Sequence, residues 1–366
     1  MKYVPCLKSS VSEFRALSHL TMESSTVPLI ELTKGRKTHE KDQGEIRTCF
    51  KKIKECLEKR KFFVDITSDE TNINDELRSF KQQSSGFINW VAFVTELGAE
   101  TNTTPIPIIQ ATNSDSIHQI DAQILMFKMF FEHIAIRIGA SGYSSFKTKG
   151  YDKFLRSLID ISVKHDVFIY FLVDAETIRT KSGRDLTPTK ISQAKLLIED
   201  ILSALDELDY ENYKIISLAS SYPSSINQEH GGDSEGEALL FDWTYYSELK
   251  ETISGTKLIY GDYACINAEQ KPTNAYNWVP RIDFPTRTLE ICKYTRYRTD
   301  EVNGYTKCAQ RLMNKHIKRE DRVDCWGFKQ IEATAKESEP TGKSPSFWIS
   351  VRANIWMTRI QNQLKT

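Results

Sequence analysis

Eight short apolar runs recur through the first 265 residues of the chain, and segments with helical periodicity lie between them. In the gaps, apolar residues repeat at i, i+3, i+4 and i+7, as in the amphipathic segments Ile117–Glu132, Tyr151–His165 and Ile191–Leu208. Strands and helices that alternate at this rhythm indicate βαβ units and a parallel sheet. The predicted strands are Tyr3–Leu7, Val27–Leu32, Phe62–Ile66, Pro105–Ile109, Ile134–Ile138, Val167–Val173, Lys214–Ala219 and Lys257–Tyr260.

The number and composition of these strands predict an α/β fold of the (β/α)₈ barrel type over residues 1–266. An open, doubly wound sheet is the alternative. The run from Ile134 to Gly139 separates the two, because isoleucine alternates there with Ala135, Arg137 and Gly139. A parallel strand of an open sheet is covered by helices on both faces and is apolar on both. In a barrel, one face of the strand fills the interior and can carry a polar group near the mouth, which this strand matches.

The segment after Ile266 differs in charge from the rest of the chain. From Ile266 to Thr366 it has 18 basic and 11 acidic residues, whereas the preceding residues have 31 basic and 38 acidic ones. We therefore predict a basic, aromatic-rich α+β extension over residues 267–366 that docks on the acidic barrel, with an anionic partner as the alternative. Its predicted elements are a strand at Arg287–Tyr297 and helices at Tyr305–Ile317 and Phe347–Leu364. Exposed loops are predicted at Ala335–Ser346 and Asn227–Glu237.

The composition argues against several classes of protein. Among 366 residues, 40% are apolar and 27% are charged, which is enough for a large core and argues against global disorder. No apolar run reaches the ~20 residues of a membrane-spanning helix. The residues Met1–Pro5 are not followed by the apolar core of a signal peptide, so we expect a cytoplasmic protein. The motifs of dinucleotide-binding, P-loop and zincin enzymes do not occur in the sequence.

Polar residues stand at the carboxyl end of nearly every predicted strand. Because all strands of a barrel open on the same rim, where barrel enzymes have their active sites, we expect these residues to converge on one ligand. A turn or capping role explains any single one of them, but their coincidence at eight strand ends favours a site. In chain order they are Lys8, Glu31, Asp65, Gln110, Arg137, Asp174, Ser220 with Ser221, and Asp262 with Tyr263.

The residue types limit what this rim can do. Glu31, Asp65 and Asp174 are the expected ligands of a Mg²⁺ or Mn²⁺ ion, because hard cations prefer carboxylate oxygens. Asp65, Asp174 and Lys8 are the expected catalytic residues, as groups that can transfer protons. Arg137 is expected to grip an anionic ligand. Alternatively, the basic residues neutralise the carboxylates directly. The remaining predicted ligand-binding residues are Gln110, Ser220, Ser221, Asp262 and Tyr263.

Aromatic and basic residues alternate in the segment Tyr294–Arg298 of the predicted extension. Aromatic rings stack on bases and arginines neutralise phosphates, so this pattern is one that binds single-stranded nucleic acid. A strand that buries its aromatic face and lets its arginines reach solvent gives the same pattern. We favour the buried strand and keep a nucleic acid or nucleotide among the candidate partners.

Taken together, several of these segments resemble the beta protein family of phages, phage satellites and bacterial genomes. They occur in order over most of the chain and include seven of the eight strand ends. The resemblance implies a role in phage superinfection exclusion or antiviral defence in the bacterial host, and it brings no established reaction with it. The matching segments are Tyr3–Lys8 with Glu13–Leu17, Pro28–Glu31, Phe63–Asp65, Arg137, Asp174, Ser220–Pro223, Gly261–Tyr263, Tyr294–Thr295, and Trp348 with Arg352.

Two hypotheses of function follow, and the sequence does not decide between an enzyme and a binding protein. In the first, the rim binds a phosphorylated small molecule or a nucleic-acid element and hydrolyses it with a divalent metal. In the second, the barrel is a non-catalytic sensor or a regulatory partner of a toxin or effector encoded nearby. Geometry separates them. Carboxylates that converge on a shared cation site favour the enzyme, and rim residues that pair with one another favour the scaffold.

Overall fold

The computed structural model describes residues 1–35, 44–147, 150–226, 234–253, 258–269, 279–297, 304–337 and 340–365. The strands are β1 (Tyr3–Lys8), β2 (Leu29–Leu32), β3 (Lys61–Ile66), β4 (Thr104–Pro107), β5 (His133–Gly139), β6 (Phe168–Thr177), β7 (Tyr213–Ser220), β8 (Glu235–Leu239), β9 (Leu258–Asp262), β10 (Arg281–Pro285) and β11 (Ile291–Arg296). The helices are α1 (Val11–Ser18), α2 (Thr48–Leu57), α3 (Asp75–Phe80), α4 (Ser84–Thr101), α5 (Ile117–Lys128), α6 (Tyr143–Lys147), α7 (Tyr151–Lys164), α8 (Thr187–Glu207), α9 (Asp242–Thr252), α10 (Gly304–Arg311), α11 (Trp326–Lys336) and α12 (Pro345–Gln363).

Eight parallel strands form a barrel, which confirms the predicted fold. The hydrogen-bonded order is β4-β3-β2-β1-β9-β7-β6-β5, so each strand pairs with its neighbours in the chain, apart from the insertion of β8. The ring closes between β4 and β5. There Ile108 bridges Ala135, and the amide of Ile109 donates to the carbonyl of Ala135 at 2.8 Å. Each of the eight predicted strands overlaps one of β1–β7 and β9, and Lys257, the first residue of the last predicted strand, lies outside the described residues.

The alternation along the strands divides the apolar residues into two layers. In β5, Ile134, Ile136 and Ile138 pack outward in the layer between the strands and the helices. Ala135 packs inward in a separate interior cluster, which also contains large side chains such as Phe63 and Tyr170. A filled interior of this kind makes the barrel a packed core and not a pore. The polar side chains that follow these apolar residues at the carboxyl ends of the strands therefore lie above this layer, at the mouth of the barrel.

The carboxyl-terminal part of the chain is built on a small antiparallel sheet of order β10-β11-β8. The third strand of that sheet, β8, comes from before the last barrel strand, so the predicted loop Asn227–Glu237 is wrong at its end, where Glu235–Glu237 are extended. Residues 227–233 of that loop lie outside the described residues. The strand β10 was not predicted. Helices α10, α11 and α12 cover the sheet around a core that includes Phe284, Phe328 and Trp348.

Helix α12 packs on the barrel beside α1. The side chain of Asn354 donates to the carbonyl of Ala16 at 3.0 Å, and Gln361 accepts from the Thr26 hydroxyl at 2.9 Å. This helix lies next to β1 and β9, where a barrel normally has the helix that follows its eighth strand. No helix of the described residues is both long and apolar enough to cross a membrane.

Candidate functional site

The guanidinium of Arg137 lies at the centre of the barrel mouth and binds three carboxylates from three other strands. Its Nη1 is 2.6 Å from Oε1 of Glu31 and 2.9 Å from Oδ2 of Asp65. Its Nη2 is 2.7 Å from Oδ2 of Asp174, and its Nε is 3.0 Å from the same atom. The hydroxyl of Tyr263 accepts from Nη2 at 2.8 Å and donates to Asp174 at 2.7 Å. These five residues form what we call the arginine network.

The strand register explains why these side chains meet. Glu31 pairs with Asp65 across β2 and β3, and Arg137 stands on β5, which meets β4 where the ring closes and pairs with β6, the strand of Asp174. The three carboxylates and Arg137 follow inward-facing residues by two positions, so they point into the same space. The sequence analysis expected these four residues and Asp262 at one end of the barrel, and the four are hydrogen-bonded to one another there, whereas Asp262 is not part of their network.

Further hydrogen bonds fix the carboxylates of Asp65 and Asp174. Oδ1 of Asp65 accepts from the amide of Ile66 at 2.8 Å and from Nε2 of Gln110 at 3.0 Å. Oδ1 of Asp174 accepts from the amide of Glu176 at 2.8 Å. Both oxygens of each aspartate are therefore already used. In Glu31, by contrast, only Oε1 accepts a hydrogen bond from a described residue.

The arginine network is nearly closed to solvent. The exposed fraction of the side chain is 13% for Arg137 and 4%, 8% and 5% for Glu31, Asp65 and Asp174. Burial by itself would lower the pKa of Arg137, but the surrounding Tyr263, Asp174 and Glu31 raise it well above its usual range. Burial and Asp174 also raise the pKa of Tyr263, so its hydroxyl keeps its proton. The network is a buried ion cluster in which each charge has a partner.

Lys8 reaches the same end of the barrel but does not join the arginine network. Its Nζ donates to the carbonyl of Ala268 at 3.1 Å, and its backbone amide donates to Oε2 of Glu13. Glu13 is buried, and burial raises the pKa of its carboxyl to about 7. Glu13 was not among the predicted site residues, although its spacing from Ser10 could have indicated it. It follows Ser10 by three residues, and Ser10 caps the first turn of α1.

Three of the predicted ligand-binding residues point away from the mouth or are engaged elsewhere. Asp262 is on the outer face of β9, where its carboxylate accepts from Tyr3 and Trp356. Ser221 is hydrogen-bonded to the side chain of Asp242. The hydroxyl of Ser220 donates to the carbonyl of Ile266 at 2.7 Å. The structure therefore brings Tyr263 and Gln110 to the carboxylates and leaves Ser220, Ser221 and Asp262 in structural roles.

The three carboxylates predicted to bind Mg²⁺ or Mn²⁺ do not have the arrangement of a metal site. The guanidinium of Arg137 lies among them, and its N–H groups use the oxygens that a cation would need. Within the described ranges, no group of three or more Asp, Glu, His or Cys side chains has the arrangement to hold a metal ion. The residues at this mouth thus do not fit the expected ion as they are placed.

A second polar cluster joins the barrel to the carboxyl-terminal sheet. Arg352 of α12 donates to the hydroxyl of Tyr222 at 2.6 Å and to Oδ2 of Asp283 at 2.7 Å, and its guanidinium lies 3.8 Å from the centre of the Tyr222 ring. Burial by itself would raise the pKa of Asp283, but the nearby Arg281 and Arg352 lower it. Tyr222 and Arg352 belong to separate segments of the family resemblance. Their contact gives both residues a structural role, because it helps to join the barrel to the carboxyl-terminal sheet.

Of the segment Tyr294–Arg298, the residues up to Arg296 belong to β11, and the expectation that its arginines reach solvent is wrong for Arg296. Tyr294 is buried in the core, and Thr295 and Arg296 are buried beside it. Tyr297 is covered by Lys307, whose Nζ lies 4.6 Å from the ring centre. Arg298 lies outside the described residues. The ring of Tyr294 is therefore not accessible for stacking on a base.

Comparisons with known proteins give a family and a viral relative. The family model described as Beta protein matches residues 3–362 of the chain. Protein beta of Enterobacteria phage P4 is 24% identical over 365 residues, which is 98% of this chain and 92% of that protein.

Solved structures are similar only at a low level. A GH113 beta-1,4-mannanase covers 74% of this chain and 91% of its own, with a TM-score of 0.38 and 8% identity. A chitinase from Chromobacterium violaceum covers 97% of this chain and 98% of its own, with a TM-score of 0.38 and 9% identity. At this level of similarity, the two hydrolases say nothing about the chemistry of this chain.

Proposed function

Because the chain belongs to the beta protein family and is related to a phage protein, we propose that it acts in phage exclusion or antiviral defence as a non-catalytic sensor or regulatory partner of a toxin or effector. The observation that carries the proposal is the placement of Arg137. A single guanidinium binds the three carboxylates that a hydrolytic mechanism at this mouth would need. The barrel then serves as a rigid scaffold for a binding surface.

The hydrogen bonds of the arginine network support a scaffold more than a catalyst. A general base needs a carboxylate oxygen that can reach the substrate. In Asp65 and Asp174, every carboxylate oxygen already accepts from a protein donor. Lys8 is held by the carbonyl of Ala268. A substrate would therefore have to break buried ion pairs before Asp65 or Asp174 could act on it, and that costs free energy.

The charge of the barrel mouth also limits which ligands can bind there. The arginine network contains three carboxylates and one guanidinium, so its formal charge is negative. Such a site disfavours a phosphorylated ligand.

The second candidate is the hydrolase, in which the same mouth opens to bind a phosphorylated small molecule or nucleic-acid element and recruits Mg²⁺ or Mn²⁺. The observation in its favour is Glu31, whose Oε2 accepts no hydrogen bond from a described residue. Glu31→Gln tests the two candidates, because the amide oxygen can still accept from Arg137 while the metal-binding and proton-accepting chemistry is lost.

In a phage-plating assay with matched protein levels, we expect Glu31→Gln to exclude phage within about twofold of the wild type. A hydrolase that uses Glu31 should lose about 100-fold or more of its activity. The matched control is Glu248→Gln, which removes one exposed carboxylate from α9. Loss of exclusion in Glu31→Gln alone, at an unchanged melting temperature, would refute the scaffold and support the hydrolase.

A further inference from the structure

Two adjoining cavities lie at the amino-terminal end of the barrel, away from the arginine network. One, of about 500 Å³, lies between α9, the turn that joins β10 to β11, and the end of α12. The other, of about 770 Å³, lies between the first two residues of the chain, the start of β7 and α9. Trp243 and Gln363 line both cavities. We call the two together the basic groove.

Six cationic side chains line the basic groove. They are Arg287, Arg322 and Arg359 in the first cavity and Lys2, Lys214 and Lys250 in the second. Within the described residues, no carboxylate lies within ion-pair distance of any of the six. Cations elsewhere on the surface are commonly paired, as Arg47 is with Glu76 at 2.7 Å and with Glu96 at 2.6 Å. Glu251 is the acidic residue among the lining residues, so the groove has a strong positive excess.

Arg359 has no ion-pair partner among the described residues, although its guanidinium lies 5.2 Å from the centre of the Phe284 ring. Its side chain is buried, it donates to the backbone carbonyl of Asp321, and its Nε has no hydrogen-bond partner. Burial lowers the pKa of Arg359 to about 10, against the opposing effect of the Asp321 carboxylate. A buried guanidinium without an ion-pair partner is costly unless an anion approaches it. A negatively charged ligand in the first cavity would supply that partner.

Trp243 adds an aromatic surface at the junction of the two cavities. One side of its ring packs near Tyr246 and Tyr260, with ring centres 5.7 and 5.4 Å apart. The residue is half-buried, so part of the indole faces the groove. Aromatic rings beside a track of cations are the combination that proteins use to bind single strands, because the bases stack and the phosphates meet the cations.

We propose that the basic groove binds single-stranded nucleic acid, with phosphates on Arg287, Arg322 and Lys250 and a base on Trp243. The proposal concerns a surface separate from the barrel mouth, so it stands independently of the proposed function. A single strand fits better than a duplex because the cations line concave cavities, into which a flexible chain can bend. The ligand is recognised by charge and stacking and not by sequence.

The test is fluorescence anisotropy with labelled oligothymidylate of about 12 nucleotides, a length within the site sizes of single-strand-binding folds. We expect the full-length protein to bind it at about 50 mM salt and to lose most of that affinity at about 200 mM. Arg287→Gln/Arg322→Gln should weaken binding about tenfold or more. It should also reduce the slope of log affinity against log salt by about 1.4, since each phosphate contact in a single strand contributes about 0.7.

Arg287 and Arg322 are both exposed, so the double variant should fold normally. The matched control, Lys51→Gln/Lys153→Gln, removes two exposed cations from α2 and α7 and should bind like the wild type. Trp243→Leu should weaken binding without changing the salt slope. No binding at low salt, an equal loss in the control, tighter binding of duplex DNA, or displacement by inorganic polyphosphate as readily as by oligothymidylate would each overturn the proposal.

Discussion

Nε1 of Trp356, on the last helix, lies 2.6 Å from Oδ2 of Asp262, at the end of the last barrel strand. The other oxygen of this carboxylate accepts from the hydroxyl of Tyr3 on β1 at 2.9 Å and from the amide of Ala264 at 2.8 Å. Asp262 thus connects β1, β9 and α12, at the place where the first and last strands of the barrel pair with each other. Burial raises the pKa of Asp262, and these hydrogen bonds oppose that rise.

Trp356→Phe should destabilise the protein more than Trp348→Phe does. Both tryptophans are buried, and both donate one indole hydrogen bond. The acceptor of Trp356 is a carboxylate, and a hydrogen bond to a charged group contributes about 1.5–3 kcal/mol. The acceptor of Trp348 is the carbonyl of Gly342, for which about 0.5–1.5 kcal/mol is typical. Urea unfolding of the two variants should differ by about 1 kcal/mol, and equal losses would contradict the structural role of Asp262.

Arg137→Ala should lower the free energy of unfolding by about 3–5 kcal/mol, because it leaves three buried carboxylates without their shared partner. The melting temperature should fall by roughly 5–10 °C. Arg47→Ala is the matched control, since Arg47 also binds two carboxylates but its side chain is 43% exposed. In Arg47→Ala, the free energy of unfolding should fall by less than about 1 kcal/mol. If Arg137→Ala melts like Arg47→Ala, the arginine network is not a structural ion cluster.

The sequence predicted the barrel because its strands carry two independent signals. The apolar runs have the spacing of βα units, and β5 alternates isoleucine with Ala135 and Arg137, as only a strand with one crowded interior face would. The position of Glu31, Asp65, Arg137 and Asp174 at the carboxyl ends of predicted strands placed them at one mouth. It could not show that Arg137 would bind all three carboxylates, because that depends on how far each side chain reaches across the interior.

Two features of the site could not be predicted from the sequence, and each has a physical reason. Asp262 and Tyr263 are adjacent, so only one of them can face the barrel interior. On β9, Tyr260 lies on the outer face and Ile259 on the inner face. Because both faces of the strand are apolar, the sequence does not indicate whether Asp262 or Tyr263 points into the barrel. The contact of Arg352 with Tyr222 joins residues 130 positions apart, and no local pattern marks such a pair. The cations of the basic groove are likewise scattered from Lys2 to Arg359.

A chain that ends at Ile266 should not form a stable barrel, although residues 1–266 contain all eight strands. Truncation removes α12, which covers α1 and binds Asp262, and it removes β11, the partner of β8. Ala353, Trp356, Met357 and Ile360 of α12 belong to the same apolar core as the barrel helices. We expect the truncated chain to lose its near-ultraviolet circular dichroism and its cooperative thermal transition. A cooperative transition within a few degrees of the full-length protein would instead support a self-sufficient barrel domain.

Glu13 should make the protein less stable as the pH rises from about 5 to 7.5. Burial raises the pKa of its carboxyl from 4.5 to about 7 in the folded state. The folded protein therefore holds a proton that the unfolded chain has released, and the stabilisation that is complete below pH 4.5 is lost as the pH rises through 7. Across this window, the contribution amounts to about 2 kcal/mol.

The comparison of wild type with Glu13→Gln isolates this effect from all other titrating groups. Glutamine retains an oxygen that can accept the amide hydrogen bond of Lys8, but it has no proton to lose. The variant should be less stable than the wild type at pH 5 and should gain about 2 kcal/mol relative to it by pH 7.5 in urea unfolding. Glu248→Gln removes an exposed carboxylate and should run parallel to the wild type. A Glu13→Gln curve that also runs parallel would mean that the proton on Glu13 does not distinguish the folded from the unfolded chain, and the buried carboxyl beneath Lys8 would then be charged throughout.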